Sequence, residues 1–248
     1  MKIHRNAIAL AVGLTILGGA TTASARASGH GREAVEMGDS RLKFEINATD
    51  GDGGVQAFID ADEWRSVSIY DPGGRRVFTA TASGRMAEQG GTELFLESAE
   101  PPFTDLTLEQ LFQRWPEGTY RFRGRSLAGE RYEGSWELTH HIPDGPTLVA
   151  PLEADGPQDP RATVVIWQPV PAPDGSPIIG YQVLVVEPNT GIDSLPKVTL
   201  DVTMPPEATS LAIPIGFLEP DTEYEWEVLA IEASGNQTLS SATFTTGS

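Results

Sequence analysis

Leu218-Glu219-Pro220-Asp221-Thr222-Glu223-Tyr224-Glu225-Trp226-Glu227-Val228 is the stretch on which the reading of this chain turns. Pro220 fixes its own backbone torsion and Asp221 favours a turn, so the chain bends here before an alternating strand begins. Tyr224 stands just after that turn, where its phenol hydroxyl is placed to bond back to the upstream backbone and fasten the corner. Working outward, Thr163–Gln168 with Trp167 and Ile179–Val183 with Tyr181 read as earlier strands, and Phe244-Thr245-Thr246 as part of the last one. Trp167, Tyr181 and Leu218 have the bulk to fill the space between two sheets packed about 10 Å apart.

Together with Gly235 and Ser240-Ser241, these residues resemble the fibronectin type III family from about residue 146 to 246. The resemblance implies a seven-stranded sandwich that serves as a spacer or a binding module, a fold that does not specify a ligand. The chain contains no Arg-Gly-Asp, and the loop where some members carry it, Glu232 to Asn236, offers no adhesive motif.

Upstream of His141-Ile142-Pro143-Asp144-Gly145-Pro146 the pattern is again period-two alternation, cut by Gly, Asp, Pro and Asn clusters, as in antiparallel sheets with one dry face. Phe44, Ile46 and Ala48 lead into a turn at Thr49–Gly54, and Val55, Ala57 and Ile59 return from it. Val67 and Ile69 run on to Asp71-Pro72-Gly73-Gly74. Leu94, Leu96 and Phe103 are further core candidates. One helix is expected, Leu106 to Trp115, with Thr107 and Gln110 at capping-box spacing and Leu108, Leu111, Phe112 and Trp115 on one stripe. In the next hairpin Tyr120 and Phe122 must share a face with Tyr132, Trp136 and Leu138, while Arg121, Arg123 and Arg125 share one with Glu133 and Glu137. That parity requires a three-residue loop, Leu127-Ala128-Gly129, with Gly129 left-handed and Arg123 opposite Glu133.

Lys2, His4 and Arg5 precede a 14-residue apolar run, Ala7 to Ala20, and Ala23-Ser24-Ala25 then offers small residues to a signal peptidase. The run is too short to span a hydrocarbon core of about 30 Å as a helix. The expected organisation is therefore a secretory signal at 1–25, a flexible lead-in at 26–33, an immunoglobulin-like sandwich of unnamed family at 34–142, and a fibronectin type III domain at 143–248. The fold class is all-β, two tandem antiparallel β-sandwiches, and the destination is periplasm or medium. With 35 acidic against 17 basic side chains the net charge is -18, which repels phosphate backbones and anionic lipid. Zero cysteines exclude disulfides, thiolate metal sites and a cysteine nucleophile.

Few residues carry chemistry. Asp50, Asp52, Asp60 and Asp62, with Asn47 and Glu63 nearby, supply the hard oxygens calcium needs, although Gly54 and Ala61 break an EF-hand pattern. The same residues also suit a tight glycine turn, and both readings stand. Calcium at this cluster is the one cofactor the sequence offers a place for. Gly38-Asp39-Ser40 resembles the nucleophile block of the Gly-Asp-Ser hydrolases, but His140 is preceded at the required spacing by Glu137, and the scaffold is antiparallel. His140 and His141 are adjacent, so a regular strand points them to opposite faces and they cannot chelate one metal. Asn47 and Asn236 head Asn-x-Thr sites.

The function expected is that of an exported, non-catalytic binding or assembly protein, its partner an extracellular or periplasmic protein or glycan, with no nucleic acid and no membrane insertion. The alternative is a carbohydrate-binding or carbohydrate-enzyme accessory protein that stacks sugars on exposed aromatics, with Phe58, Phe95 and Trp226 as candidates; the same three residues also suit a second core face or the seam between the domains, and that is the plainer reading.

Overall fold

A computed structural model of the chain describes residues 33–187 and 189–248. The expected signal, and all but the last residue of the lead-in, lie outside the described residues. Sixteen elements follow in order: β1 Val35–Glu36, β2 Asp39–Asn47, β3 Asp52–Tyr70, β4 Arg76–Thr81, α1 Met86–Gln89, β5 Gly91–Glu97, α2 Leu108–Arg114, β6 Gly118–Ser126, β7 Arg131–Leu138, β8 Leu148–Ala150, β9 Val164–Trp167, β10 Ile178–Glu187, β11 Val198–Met204, β12 Ser210–Ala212, β13 Glu223–Glu232 and β14 Gln237–Thr245. The protein is all-β with two short helices, one more than the sequence reading allowed.

Grouped by contact, the chain forms two compact units: residues up to Arg41 with Ala57–Leu96 and Thr119–Trp136, and Leu42–Gln56 with Glu97–Gly118 and Glu137–Ser248. These units and the sequence partition at residue 142 cut the chain in different places, because one groups residues by contact and the other by module.

In the first unit, β6 and β4 flank the C-terminal half of β3, with Ser66 opposite Arg125 on one side and Thr81 on the other. β1 runs parallel to β7, Val35 opposite Tyr132. The β6–β7 hairpin turns as expected: the Ser126 amide donates to the Glu130 carbonyl at 3.0 Å, leaving a three-residue loop, and Gly129 adopts a φ of 83°. Inward Tyr120, Phe122 and Tyr132 are buried while Arg121, Arg123, Arg125 and Glu133 are exposed. Buried positions on β3 change phase, from Ala57, Ile59 and Ala61 to Trp64 and then Val67 and Ile69. Glu63 sits at φ 22° there, and the register with β6 shifts between Trp64 and Ser66. A Cβ at Gly91 would lie 2.5 Å from the Trp64 ring, so glycine is what lets β5 pass this face.

The second unit contains the sandwich. β12-β9-β8 form one sheet; β14-β13-β10-β11 run side by side in the other. Between them lie Trp167, Tyr181, Val183, Val185, Leu218, Tyr224, Trp226, Val228 and Phe244, all buried. The Tyr224 hydroxyl accepts from the Glu219 amide at 2.8 Å, fastening the corner read from sequence. β2 pairs in parallel with the start of β14, Glu45 opposite Gln237 and Asn47 opposite Leu239. The turn before β3 is shorter than expected. The Gly51 amide closes it onto the Asn47 carbonyl at 2.9 Å, and Gly53 and Gly54 are strand residues. A Cβ at Gly53 would meet the Ile46 side chain at 2.6 Å, and one at Gly54 the Ser98 hydroxyl at 2.5 Å, so these glycines serve close packing instead. Thr107 caps α2 through a complete capping box with Gln110. The core candidates Leu94, Leu96 and Phe103 are only half-buried, since β5 is paired but poorly covered.

Candidate functional site

The aspartates of the calcium reading are placed as follows. Asp50 belongs to the turn after β2, where the Asn47 side-chain oxygen accepts from the Thr49 and Asp50 amides, both at 3.0 Å, and its amide nitrogen donates to Asp50 Oδ2 at 3.1 Å. These bonds are what a tight Asx-stabilised turn needs. Asp52 opens β3; Asp60 and Asp62 lie further along that strand, and Gly38 packs against the Asp60 carboxylate.

Among the described residues, the acids whose oxygens come together are Glu45, Glu97 and Glu100, each offering one oxygen within 4.8 Å of the others. They arrive from three places: Glu45 from β2, Glu97 from the end of β5, Glu100 from the segment after it. Lys43 Nζ donates to the Gln237 side-chain oxygen at 2.6 Å, Gln237 Nε2 donates to Glu45, and Gln56 Nε2 donates to Glu97 at 3.1 Å. Gly54 lies under Glu100, where a Cβ would meet its Cγ at 3.1 Å. Burial first, then the neighbouring charges of Glu45, Glu97 and Asp52, push the Glu100 carboxyl up to about 8; burial likewise raises Glu45. Desolvation and the like charges around it favour the protonated form of Glu100. Glu45, Glu97 and Glu100 are the residues that could hold a hard cation. Sequence reasoning missed them because residues 45, 97 and 100 share no local pattern; the raised carboxyl values report a convergence that only the tertiary fold creates.

A second buried acid, Glu227, is 3% exposed on β13, opposite Leu184 and Ser241. Burial, then Glu225 and Glu45, raise it to about 8 against the opposing pull of Lys197.

The outward face of the first unit's sheet has a different character. Arg121, Arg123 and Arg125 alternate along β6 beside Tyr70, Ser68 and Ser66 of β3, and Thr79 and Thr81 of β4 continue two of those rows. The cross-strand Arg123–Glu133 pair expected from the register does not close as an ion pair. Arg123 lies over the Tyr70 ring, 5.1 Å from its centre, and Arg125 donates to the Gly129 carbonyl at 3.3 Å. The flat ring face draws the guanidinium away from the carboxylate opposite. A shallow cleft of about 470 Å³ beside this face is lined by Arg121, Arg123, Glu133, Ser135, Glu36 and Ser40 among others.

Of the aromatics proposed as a sugar platform, Trp226 is buried and donates its indole NH to the Pro151 carbonyl at 2.9 Å. Its burial follows from parity: Tyr224, Trp226 and Val228 face the core, and the flanking glutamates take the other side. Phe58 is half-buried under the Arg41 guanidinium at 4.9 Å, and Phe95 is 36% exposed. Ser40 sits on β2 against Gly134, and no histidine occurs among the described residues of its unit. The His140 ring stacks on Phe112, 4.0 Å between centres, with Nε2 at 2.9 Å from the Trp115 carbonyl. Both Asn-x-Thr asparagines are buried. Asn236 accepts from the Phe44 amide at 2.9 Å and donates to the Thr139 and His141 carbonyls, so it is a structural node without room for a glycan.

Residues 149–246 match the family model of the fibronectin type III domain, as the sequence resemblance led one to expect. No curated protein matches the chain. Among solved structures, the fibronectin(III)-like modules of Clostridium thermocellum CbhA are 11% identical, with 85% of this chain and 93% of that one covered and a TM-score of 0.35. The FN1-FN3 domains of chicken CNTN1 are 11% identical over 87% and 65%, with a TM-score of 0.34. A tetra-tandem repeat in the extending region of a large adhesion protein is 14% identical over 84% and 49%, with a TM-score of 0.29.

Proposed function

We propose that this chain is an exported, non-catalytic binding or assembly protein whose fibronectin type III domain acts as spacer or protein-interaction module outside the cytoplasm. The match of that domain over residues 149–246 carries the reading, because the family is built for display and contact. Two features support it. The domain's largest side chains are spent on its core, Trp226 included, so aromatic stacking of sugars is the weaker use of this surface. Its loops also present large apolar side chains to solvent, Ile192 and Leu195 about half exposed and Ile215 at 80%. Such residues gain most from being covered by another protein.

Export is tested by fusing residues 1–32 to a reporter enzyme that is active only outside the cytoplasm. Binding is tested in the host, with photo-crosslinking side chains placed singly at positions 192, 195 and 215. A discrete crosslinked protein is expected at one or more of these positions and not at Arg161. Equal, diffuse crosslinking at all four positions, or none at all, would remove the interaction reading.

A further inference from the structure

Charge is segregated along this chain. Among the described residues the first unit holds nine basic side chains against eleven acidic ones, and the second four against twenty-four. From residue 137 to the end there are sixteen acids and two bases. In a chain so rich in carboxylates an exposed arginine normally finds one nearby. Yet Arg121, Arg123 and Arg125, all exposed on one face of β6, form no ion pair among the described residues. Alternation along a strand sets them about 6.7 Å apart in a row, with the hydroxyls of Ser66, Ser68, Thr79 and Thr81 on one flank and Glu133, opposite Arg123, on the other. Ser68 and Thr79 bond each other at 2.7 Å, and that part of the face is polar. Guanidinium forks in such a row are suited to bidentate contact with carboxylates presented from outside.

We infer that the arginine face of β6 is a docking surface for a second copy of this chain, and that it receives the acidic half formed by residues 137–248. The charge complementarity lies within one sequence, so every copy supplies both surfaces. The contact is heterologous, head to tail, and does not saturate at a dimer unless a ring closes. It goes beyond the function proposed above, which needs no self-association. Net charge opposes the approach of two copies at long range. At about 0.15 M ionic strength the screening length is near 8 Å, so that repulsion fades while close ion pairs persist.

Sedimentation velocity on the full chain tests this. At about 0.15 M salt the weight-average mass should rise with concentration, and at about 1 M the association constant should fall at least tenfold, as screening length drops to about 3 Å. The R121E/R123E/R125E variant should stay monomeric, and R121K/R123K/R125K, which keeps the charge but loses the forks, should associate more weakly than wild type and more strongly than the glutamate variant. Labelled R121E/R123E/R125E should nonetheless bind wild-type chains, because its acidic half is intact; a symmetric face-to-face contact would forbid that. A wild-type chain that is monomeric at every concentration overturns the inference. So does association that survives the glutamate variant or strengthens with salt.

Discussion

Replacing Glu227 with glutamine should make the protein more stable, and by an amount that grows with pH. Glu227 is buried on β13, and burial with its acidic neighbours holds its carboxyl near 8, against an ordinary 4.5. Between those values the folded chain keeps a proton that the unfolded chain has released, so stability falls as pH rises. The loss is about 1.4 kcal/mol for each pH step above 4.5, or about 3 kcal/mol at pH 7. Glutamine has the same shape and nothing to ionise, so Glu227→Gln removes that loss. The variant should match wild type near pH 4.5 and exceed it by about 3 kcal/mol at pH 7, a rise of about 6–12 °C in melting temperature for a chain of this size. Urea unfolding followed by tryptophan fluorescence at pH 4.5, 7 and 8.5 measures this, the buried Trp167 and Trp226 serving as reporters. A stability gap that does not widen with pH, or a variant weaker than wild type at pH 8.5, would refute the reasoning.

Tyr224→Phe leaves the Glu219 amide without its 2.8 Å acceptor and should cost about 1–3 kcal/mol in the same assay with little change in denaturant slope. Gly91→Ala drives a methyl to within 2.5 Å of the Trp64 ring and should cost about 1–3 kcal/mol, whereas Gly129→Asn in the open hairpin loop should stay within about 1 kcal/mol of wild type. Thr107→Ala opens the capping box of α2 and should lower stability by about 1 kcal/mol, a loss that Thr107→Ser largely avoids.

Features governed by neighbouring residues could be read from the sequence. The β6–β7 loop and its left-handed glycine followed from parity alone, because a one-residue slip would have buried three arginines. The capping box of α2 and the Tyr224 corner are likewise local, each spanning at most six residues. The partner of Arg123 was misjudged because the competing ring, Tyr70, sits on a strand whose register with β6 no local signal fixes. The carboxyl group at Glu45, Glu97 and Glu100 went unseen for the same reason on a larger scale, as did the buried role of Asn236. Trp226 carried two readings, a core or seam residue and a sugar platform; its glutamate neighbours pointed to the second, but alternation places it inward and the first holds. Gly53 and Gly54 read as turn formers because glycine's conformational freedom is legible in sequence and the nearness of Ile46 and Ser98 is not.

The parallel pairing of β2 with β14, anchored by the Asn236 bond to the Phe44 amide, joins residues 192 apart in sequence. At about 5–20 residues per second of synthesis, roughly 10–40 s separate the appearance of the two partners. For that interval β2 exists as an incomplete edge, with Glu45 and the apolar side chains around it unsheltered. The second unit is therefore closed by a strand made long after β2, and removal of residues 237–245 would unseat β2. Segments of this kind need shielding while they wait, and charged side chains already made beside β2, Lys43, Asp50 and Asp52 among them, discourage a foreign strand from adding to that edge.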